Sequence, residues 1–313
     1  MEIYRDWRGL PESGRGAAVA LGNFDGVHRG HVHVLRAAHG AEPQLPLAVL
    51  TFEPHPREVF RPDDPPFRLT LEAARAKALA AAGVRILYEM PFDEAFSEIS
   101  AEDFVAAVLH RGLGARHLVC GPDFAFGHRR GGDVDFLASR AETLGIGLTV
   151  ATLLADEAGP ISSSRVRRAL RDGYPERAAR LLGRDWAIHG QVQRGDGRGH
   201  QLGFATANIP LGRHLEPARG VYAVEATLPD GRRAHGVANI GRRPSVNTLP
   251  ESLLEVHLFD FDGDLYGAEV EVALVTFLRP EHRFPGLDEL KAQIAADAAE
   301  ARRLLDQARP LSP

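Results

Sequence analysis

Apolar and polar positions alternate along the chain in two distinct textures. Over the first ~180 residues, short apolar runs at 17–21, 47–52, 84–88, 117–120 and 148–154 read as buried strands. Between them, 3.6-residue periodicity predicts helices over 31–38, 71–82, 101–113, 134–144 and 165–171. Ser100 followed by Asp103 reads as a capping box, because hydroxyl and carboxylate can each satisfy an orphan N–H. Glycines at 83, 114, 145, 173 and 183 follow the helical stretches, where a left-handed terminator is wanted. The rhythm predicts a parallel sheet with helices on both faces, whose ligands sit beyond the carboxyl ends of the strands.

From residue 186 the helical period vanishes until 287. Strand candidates follow at 187–193, 221–228, 234–240, 253–259 and 270–278, with turn signals at Pro229-Asp230-Gly231 and Asp262-Gly263. Short strands at this spacing predict a small antiparallel barrel, and the Ala/Leu/Glu/Arg-rich stretch 287–305 a closing helix. The expected boundary falls at Gly183, giving domains 1–183 and 184–313.

Composition narrows the chemistry. The 313 residues are 44% apolar and 25% charged, with a formal charge of −5. That suits two globular domains, and it argues against a general nucleic-acid binder. Cys120 is alone, so no intramolecular disulfide and no cysteine-based zinc cage is expected. The first ten residues lack an apolar secretory core and no run reaches the ~20 residues of a bilayer span, so the cytoplasm is the expected location. Lys77 and Lys291 are the only lysines, and neither follows a glycine-rich loop or stands in a protein-kinase context. Phosphate must therefore be held by Arg, His, backbone N–H groups or a metal.

The segment Leu21-Gly22-Asn23-Phe24-Asp25-Gly26-Val27-His28-Arg29-Gly30-His31 directly follows a strand and enters a helix. Its glycines let backbone approach a ligand, and His28 and His31 share a helical face at a phosphate-binding N-terminus. This segment resembles the H-x-G-H signature of the nucleotidylyltransferase superfamily. The resemblance implies transfer of a nucleotidyl unit with release of pyrophosphate, with Gly22, Phe24 and Gly30 at the ATP and His28 and His31 catalytic. Ile161-Ser162-Ser163-Ser164-Arg165-Val166-Arg167 agrees with it. Ser162, Ser163 and Ser164 form an anion nest, or simply an N-cap, before a helix, and Arg167 offers a guanidinium fork. Class I aminoacyl-tRNA synthetases share the architecture but use lysine in this loop, and here there is none.

Two further segments, Thr51-Phe52-Glu53-Pro54-His55-Pro56 and Gly121-Pro122-Asp123-Phe124-Ala125-Phe126-Gly127, follow strands and bring aromatics that could stack on a flat ring. With the first two they resemble the FMN adenylyltransferase module of the bacterial bifunctional riboflavin kinase/FAD synthetases. The second half meets the demand this makes. Gly203-Phe204-Ala205-Thr206-Ala207-Asn208 is similar to the G-F-P-T-A-N fingerprint of riboflavin kinase. The blocks Gly220-Val221-Tyr222, Gly236-Val237-Ala238-Asn239-Ile240-Gly241 and Leu254-Glu255-Val256-His257 match as well.

The resemblance implies riboflavin and ATP giving FMN, then FMN and a second ATP giving FAD. It implies Mg²⁺ with the ATP on Thr206 and Asn208, and Glu255 as general base. It also implies a phosphate-covering flap with Gly195 and Gly199, and Phe52, Asp123, Phe124, Phe126 and Arg302 at flavin. Two residues depart from the pattern: Ala205 replaces proline, and His200 stands where arginine or lysine is usual. The alternative they leave open is an FMN adenylyltransferase whose barrel only binds flavin as a regulatory module. Asp260-Phe261-Asp262-Gly263-Asp264 has the spacing of a calcium loop. It lacks the glycine an EF-hand needs at the sixth position, where Leu265 stands, so a hairpin turn is expected.

Overall fold

A computed structural model describes residues 1–194, 206–243 and 251–308. The chain packs as two compact units, the first comprising Met1–Asp64 and Glu72–Ser162, the second Pro65–Leu71 and Ser163–Pro313.

The first unit is built on a six-stranded parallel sheet of β1 (Glu2–Tyr4), β2 (Ala18–Leu21), β3 (Leu47–Glu53), β4 (Ile86–Pro91), β5 (His117–Cys120) and β6 (Gly147–Val150), ordered β1-β4-β3-β2-β5-β6. The central strands β2 and β5 are buried at every residue, as a parallel sheet covered on both faces requires. Their alternate side chains serve two cores. Val19, Leu21, Leu118 and Cys120 pack toward α4 (Ala101–Asp103), its π-helical continuation Phe104–Gly112, and α5 (Val134–Thr143). Ala20 and Val119 pack toward α1 (Arg29–Ala41) and α3 (Glu72–Ala81) through Leu35, Ala38 and Leu79, and the short α2 (Pro56–Phe60) follows β3. The predicted layering is observed.

Several details differ. β1 was not expected: its residues are mostly exposed, and it gains order only by pairing with β4. β4 starts two residues later than expected and runs on to Pro91, and β6 stops at Val150, followed by the two-residue antiparallel pair β7 (Ala155–Asp156) and β8 (Gly159–Pro160). The box at Ser100 is half of what was expected. The hydroxyl accepts from the Asp103 N–H (3.0 Å), but it donates its own proton to the Asp103 carboxylate (2.7 Å).

The second unit opens with α6 (Ser163–Arg171) and α7 (Pro175–Leu182), the latter closed by Gly183 in the left-handed conformation. Six antiparallel strands follow: β9 (Trp186–Gln191), β10 (Ala207–Pro210), β11 (Gly220–Thr227), β12 (Arg233–Arg243), β13 (Glu251–Leu258) and β14 (Glu269–Pro280), ordered β10-β13-β12-β11-β14-β9. An isolated bridge between Gln193 and Asn208 brings the sheet's ends together, so the barrel is nearly closed. Its interior holds Ile188, Ile209, Tyr222, Val224, Ile240, Leu254 and Leu274. Helix α8 (Leu287–Ala308) lays Ala301 and Leu305 on the outer face, against Val221, Ala223, Val237 and Phe259.

Asp260–Asp264 does not form the expected hairpin. β13 and β14 are separated in the sheet by β12 and β11, so this loop crosses the end of the barrel instead of turning back on its neighbour. Pro229-Asp230-Gly231 does join paired strands. The strap Pro65–Leu71 belongs to the second unit by direct bonds. Arg68 exchanges backbone hydrogen bonds with Arg213 and Leu215, and the Trp186 indole N–H donates to the Leu69 carbonyl at 2.8 Å.

Candidate active sites

In the first unit, strand order reverses beside β2, because the chain runs outward through β3 and β4 and then returns to β5 on the other side. Ligands of open α/β sheets sit at this switch, beyond the carboxyl ends. The turn after β2 carries Gly22–His31, and the turn after β5 carries Gly121–Gly127. The turn after β2 is strained: Phe24 and Val27 hold φ of 50° and 41° although neither is glycine.

The two histidines form an unusual cap on α1. The His31 N–H donates to His28 Nδ1 (3.2 Å), and the His28 N–H donates to His31 Nδ1 (3.3 Å). Their rings stack at 3.6 Å between centroids. An Nδ1 that accepts a backbone N–H carries no proton, so the neutral rings both hold theirs on Nε2. The pair is thereby set as two Nε2–H donors on one platform. His28 is 5% exposed, and Phe24, buried beneath, meets the His31 ring at 4.9 Å. The Phe24 side chain is thus core packing, and its backbone shapes the turn.

The serine segment meets this cap within the first unit. A Cβ at Gly30 would stand 2.9 Å from the Ile161 carbonyl oxygen and 3.0 Å from the His28 ring, so only glycine fits between them. Ser162 follows directly, and α6 begins at Ser163. Ser163, Ser164 and Arg167 belong to the second unit. There Arg167 donates through Nε to the Phe67 carbonyl (2.9 Å) and lays its guanidinium over the Phe67 ring.

Aromatics gather at the ends of β3 to β5. Phe52 packs edge-on against Phe92 and Phe96, while Phe124 stacks on Phe126. Phe126 is buried against Phe104 and Phe136, so its ring lies in the core. Asp123 is exposed beside Cys120. Burial foremost, with the Asp123 charge second, pushes the Cys120 thiol up to about 11. Sequence reasoning missed Phe60 and Phe92, whose rings meet edge-on at 5.5 Å, with Phe60 largely exposed.

In the barrel, β10 and β12 flank β13, and the register decides the site. Glu255 lies directly opposite Asn208 on one side and Asn239 on the other. The neighbours of all three along their strands, such as Ile209, Leu254 and Ile240, fill the interior, so the polar row stands on the outer face, the face that α8 partly covers. Asn208 is 3% exposed, and Thr206 is half-buried two residues before it. A hydroxyl and an amide oxygen are neutral hard donors of the kind Mg²⁺ accepts. Among the described residues, no three His, Cys, Asp or Glu side chains gather as a metal site. Arg302, on α8, is bound by both nitrogens to the Asp260 carboxylate and lies over the Phe259 ring at 4.2 Å. Gly195, Gly199, His200 and Ala205 lie outside the described residues.

Comparison with known proteins agrees with this division. Residues 10–165 match the FAD synthetase family and residues 182–305 the riboflavin kinase family. A bifunctional riboflavin kinase/FMN adenylyltransferase of Escherichia coli K12 is 40% identical over 313 residues, covering 99% of this chain and 100% of its own. One of Pseudomonas fluorescens is 41% identical, covering 97% and 98%. A crystal structure described as that of a macrolide-efflux protein from Streptococcus pneumoniae has a TM-score of 0.85 at 30% identity, covering 96% of this chain and 98% of that one. That description is the other protein's own, and no described helix here is long and apolar enough to cross a membrane. Two separately matched halves, joined in relatives that share the whole length, make this chain a member of the bifunctional riboflavin kinase/FMN adenylyltransferase family.

Proposed function

We propose that the chain makes FAD from riboflavin in two steps, with residues 1–183 as the FMN adenylyltransferase domain and 184–313 as the riboflavin kinase domain. In the barrel, riboflavin and ATP give FMN and ADP. In the N-terminal domain, FMN and a second ATP give FAD and pyrophosphate. Both steps use ATP, which suits a cytoplasmic enzyme, and neither involves nucleic acid.

For the kinase step, Glu255 takes the proton of the ribityl 5′-hydroxyl as its oxygen attacks the terminal phosphorus of ATP. Thr206 and Asn208 would hold Mg²⁺ together with the nucleotide. When bound, the ion offsets charge on the phosphates, and two neutral protein oxygens call for those phosphates to complete its shell. Gly195 and Gly199 belong to the flap over the phosphates. For the adenylyl step, the FMN phosphate attacks the α-phosphorus of ATP and pyrophosphate leaves. His28 and His31 donate from Nε2 to phosphate oxygens as charge builds there, and their reciprocal cap removes the cost of orienting them. Gly22, Gly30 and the backbone at Phe24 admit the nucleotide. Ser162, Ser163, Ser164 and Arg167 bind its phosphates. Phe52, Asp123, Phe124 and Phe126 shape the flavin side of this site, and Arg302 that of the barrel.

The observation that carries the reading is the register that sets Glu255 against Asn208 on one polar row. The decisive experiment follows riboflavin with Mg·ATP over time, resolving FMN and FAD. Successive appearance of FMN and FAD supports both steps. FAD only from added FMN would reduce the barrel to a flavin-binding module.

A further inference from the structure

The polar row on the barrel has a third member that no role above uses. Asn239 lies directly across from Glu255, on the side opposite Asn208. Directly opposed side chains on one face start roughly 5 Å apart, within reach of one small substrate. Asn239 is also held. Its Nδ2 donates to Glu281 Oε1 at 3.4 Å, from the segment just past β14. Glycine at 241 leaves room for that carboxylate in this position. A Cβ there would stand 2.5 Å from Glu281 Oε1 and 3.2 Å from Asn239 Nδ2.

An amide whose NH₂ is directed to a carboxylate turns its oxygen the other way. The row then presents an acceptor beside the Glu255 carboxylate without adding a second negative charge next to the base. Two neighbouring acceptors suit a polyol, where each hydroxyl is a donor. We propose that Asn239 binds the acceptor alcohol of the kinase step: its Oδ1 accepts from the ribityl 4′-hydroxyl, next to the 5′-hydroxyl that is phosphorylated. Glu281 acts through Asn239 and is a positioning residue. The inference rests on Glu255 being the base of that step.

The test compares riboflavin phosphorylation by the full-length enzyme and its N239A, N239D and N239D/E281Q variants, with the thermal melting of each variant as the folding control. In N239A the KM for riboflavin rises roughly tenfold, the scale of one hydrogen bond, while the KM for ATP stays put. With 4′-deoxyriboflavin, wild type and N239A become equal. N239D loses as much as N239A, because the new carboxylate faces Glu281. N239D/E281Q brings the riboflavin KM back toward the wild-type value, because the new amide at 281 donates to the new carboxylate at 239 and leaves its other oxygen to the hydroxyl, while kcat stays low because the carboxylate at 239 adds a second negative charge beside Glu255. An unchanged riboflavin KM in N239A, an equal loss on both substrates, or a double variant whose riboflavin KM is no lower than that of N239D overturns the proposal. Should N239A not fold, N239D and N239D/E281Q decide alone. Full phosphorylation by E255Q would instead overturn the parent reading, whatever Asn239 does.

Discussion

Alanine at Gly30 sets two physical expectations against each other. Gly30 is the second residue of α1, and propensity alone would make Gly30→Ala stabilising by up to about 1 kcal/mol. The new methyl, however, would meet the Ile161 carbonyl at 2.9 Å and the His28 ring at 3.0 Å, so one of them must move by a few tenths of an ångström. Overpacking of this kind costs about 1–3 kcal/mol, so the net effect on stability is roughly 0–2 kcal/mol against the variant. The functional effect is larger. Displacing His28 loosens the reciprocal cap, and displacing Ile161 moves Ser162. Since a misplacement of about 1 Å can cost 10²-fold, a shift of tenths should lower FAD formation roughly tenfold. The assay is adenylylation of FMN, with riboflavin phosphorylation as internal control and thermal melting alongside. Gly40 supplies the matched comparison: it lies in the same helix with nothing within 4 Å of its would-be Cβ, so Gly40→Ala should raise Tm by about 2–4 °C and leave both activities alone. A Gly30→Ala enzyme that melts higher and makes FAD at the wild-type rate would refute the account of the cap.

The other expectations are simpler to state. His31→Ala should cut FAD formation by about 10²–10⁴-fold and spare FMN formation, and Glu255→Gln should do the reverse; equal loss of both activities in either variant would sink the two-site assignment. Cys120 is fully buried and its thiol is pushed up to about 11, so iodoacetamide at pH 8 should leave the native protein unlabelled and modify one thiol after urea unfolding; rapid native labelling would contradict the packing of β5. Burial first, opposed by Glu42, lowers the His117 pKa below its ordinary value. The native state then binds fewer protons than the unfolded chain, so this stability is present above the unfolded value of ~6.5 and is lost as pH falls through the depressed folded value. Urea midpoints measured from pH 7 to 5 should fall less steeply in His117→Gln than in the wild type, and parallel curves would remove His117 from the acid response.

How much of this could be read from the sequence depended on where each signal is stored. β2 and β5 are buried on both faces, so their apolar runs are unbroken and their limits were legible to within a residue. β1 has an exposed pattern and exists because β4 offers it an edge, which no local periodicity records. The H-x-G-H turn was legible because its chemistry is contiguous, whereas the exchange of Nδ1 bonds between His28 and His31 required coordinates. Glu255 was reached through the block Leu254-Glu255-Val256-His257, but its two asparagine neighbours come from other strands and are set by register. The loop after β13 was misread because Asp-Gly signals a turn without saying whether the next strand is the neighbour. Phe92 and Phe96 were within reach. Searching past the carboxyl end of β4, as for β3 and β5, finds Phe92 directly and Phe96 five residues on.

The strap Pro65–Leu71 carries a consequence for the order of synthesis. Ribosomes release it long before its partners at Arg167, Trp186 and Arg213–Leu215 exist. The first unit can complete its sheet once Ser162 has emerged, yet this stretch, with Phe67 and Leu69 destined for burial, must wait uncovered until the barrel is made. Domains generally fold from the N-terminus as they emerge, so that interval is when the nascent chain is most exposed to mispairing or to chaperones. Slowing translation between residues 71 and 215 would lengthen it, and the yield of native enzyme would register the difference.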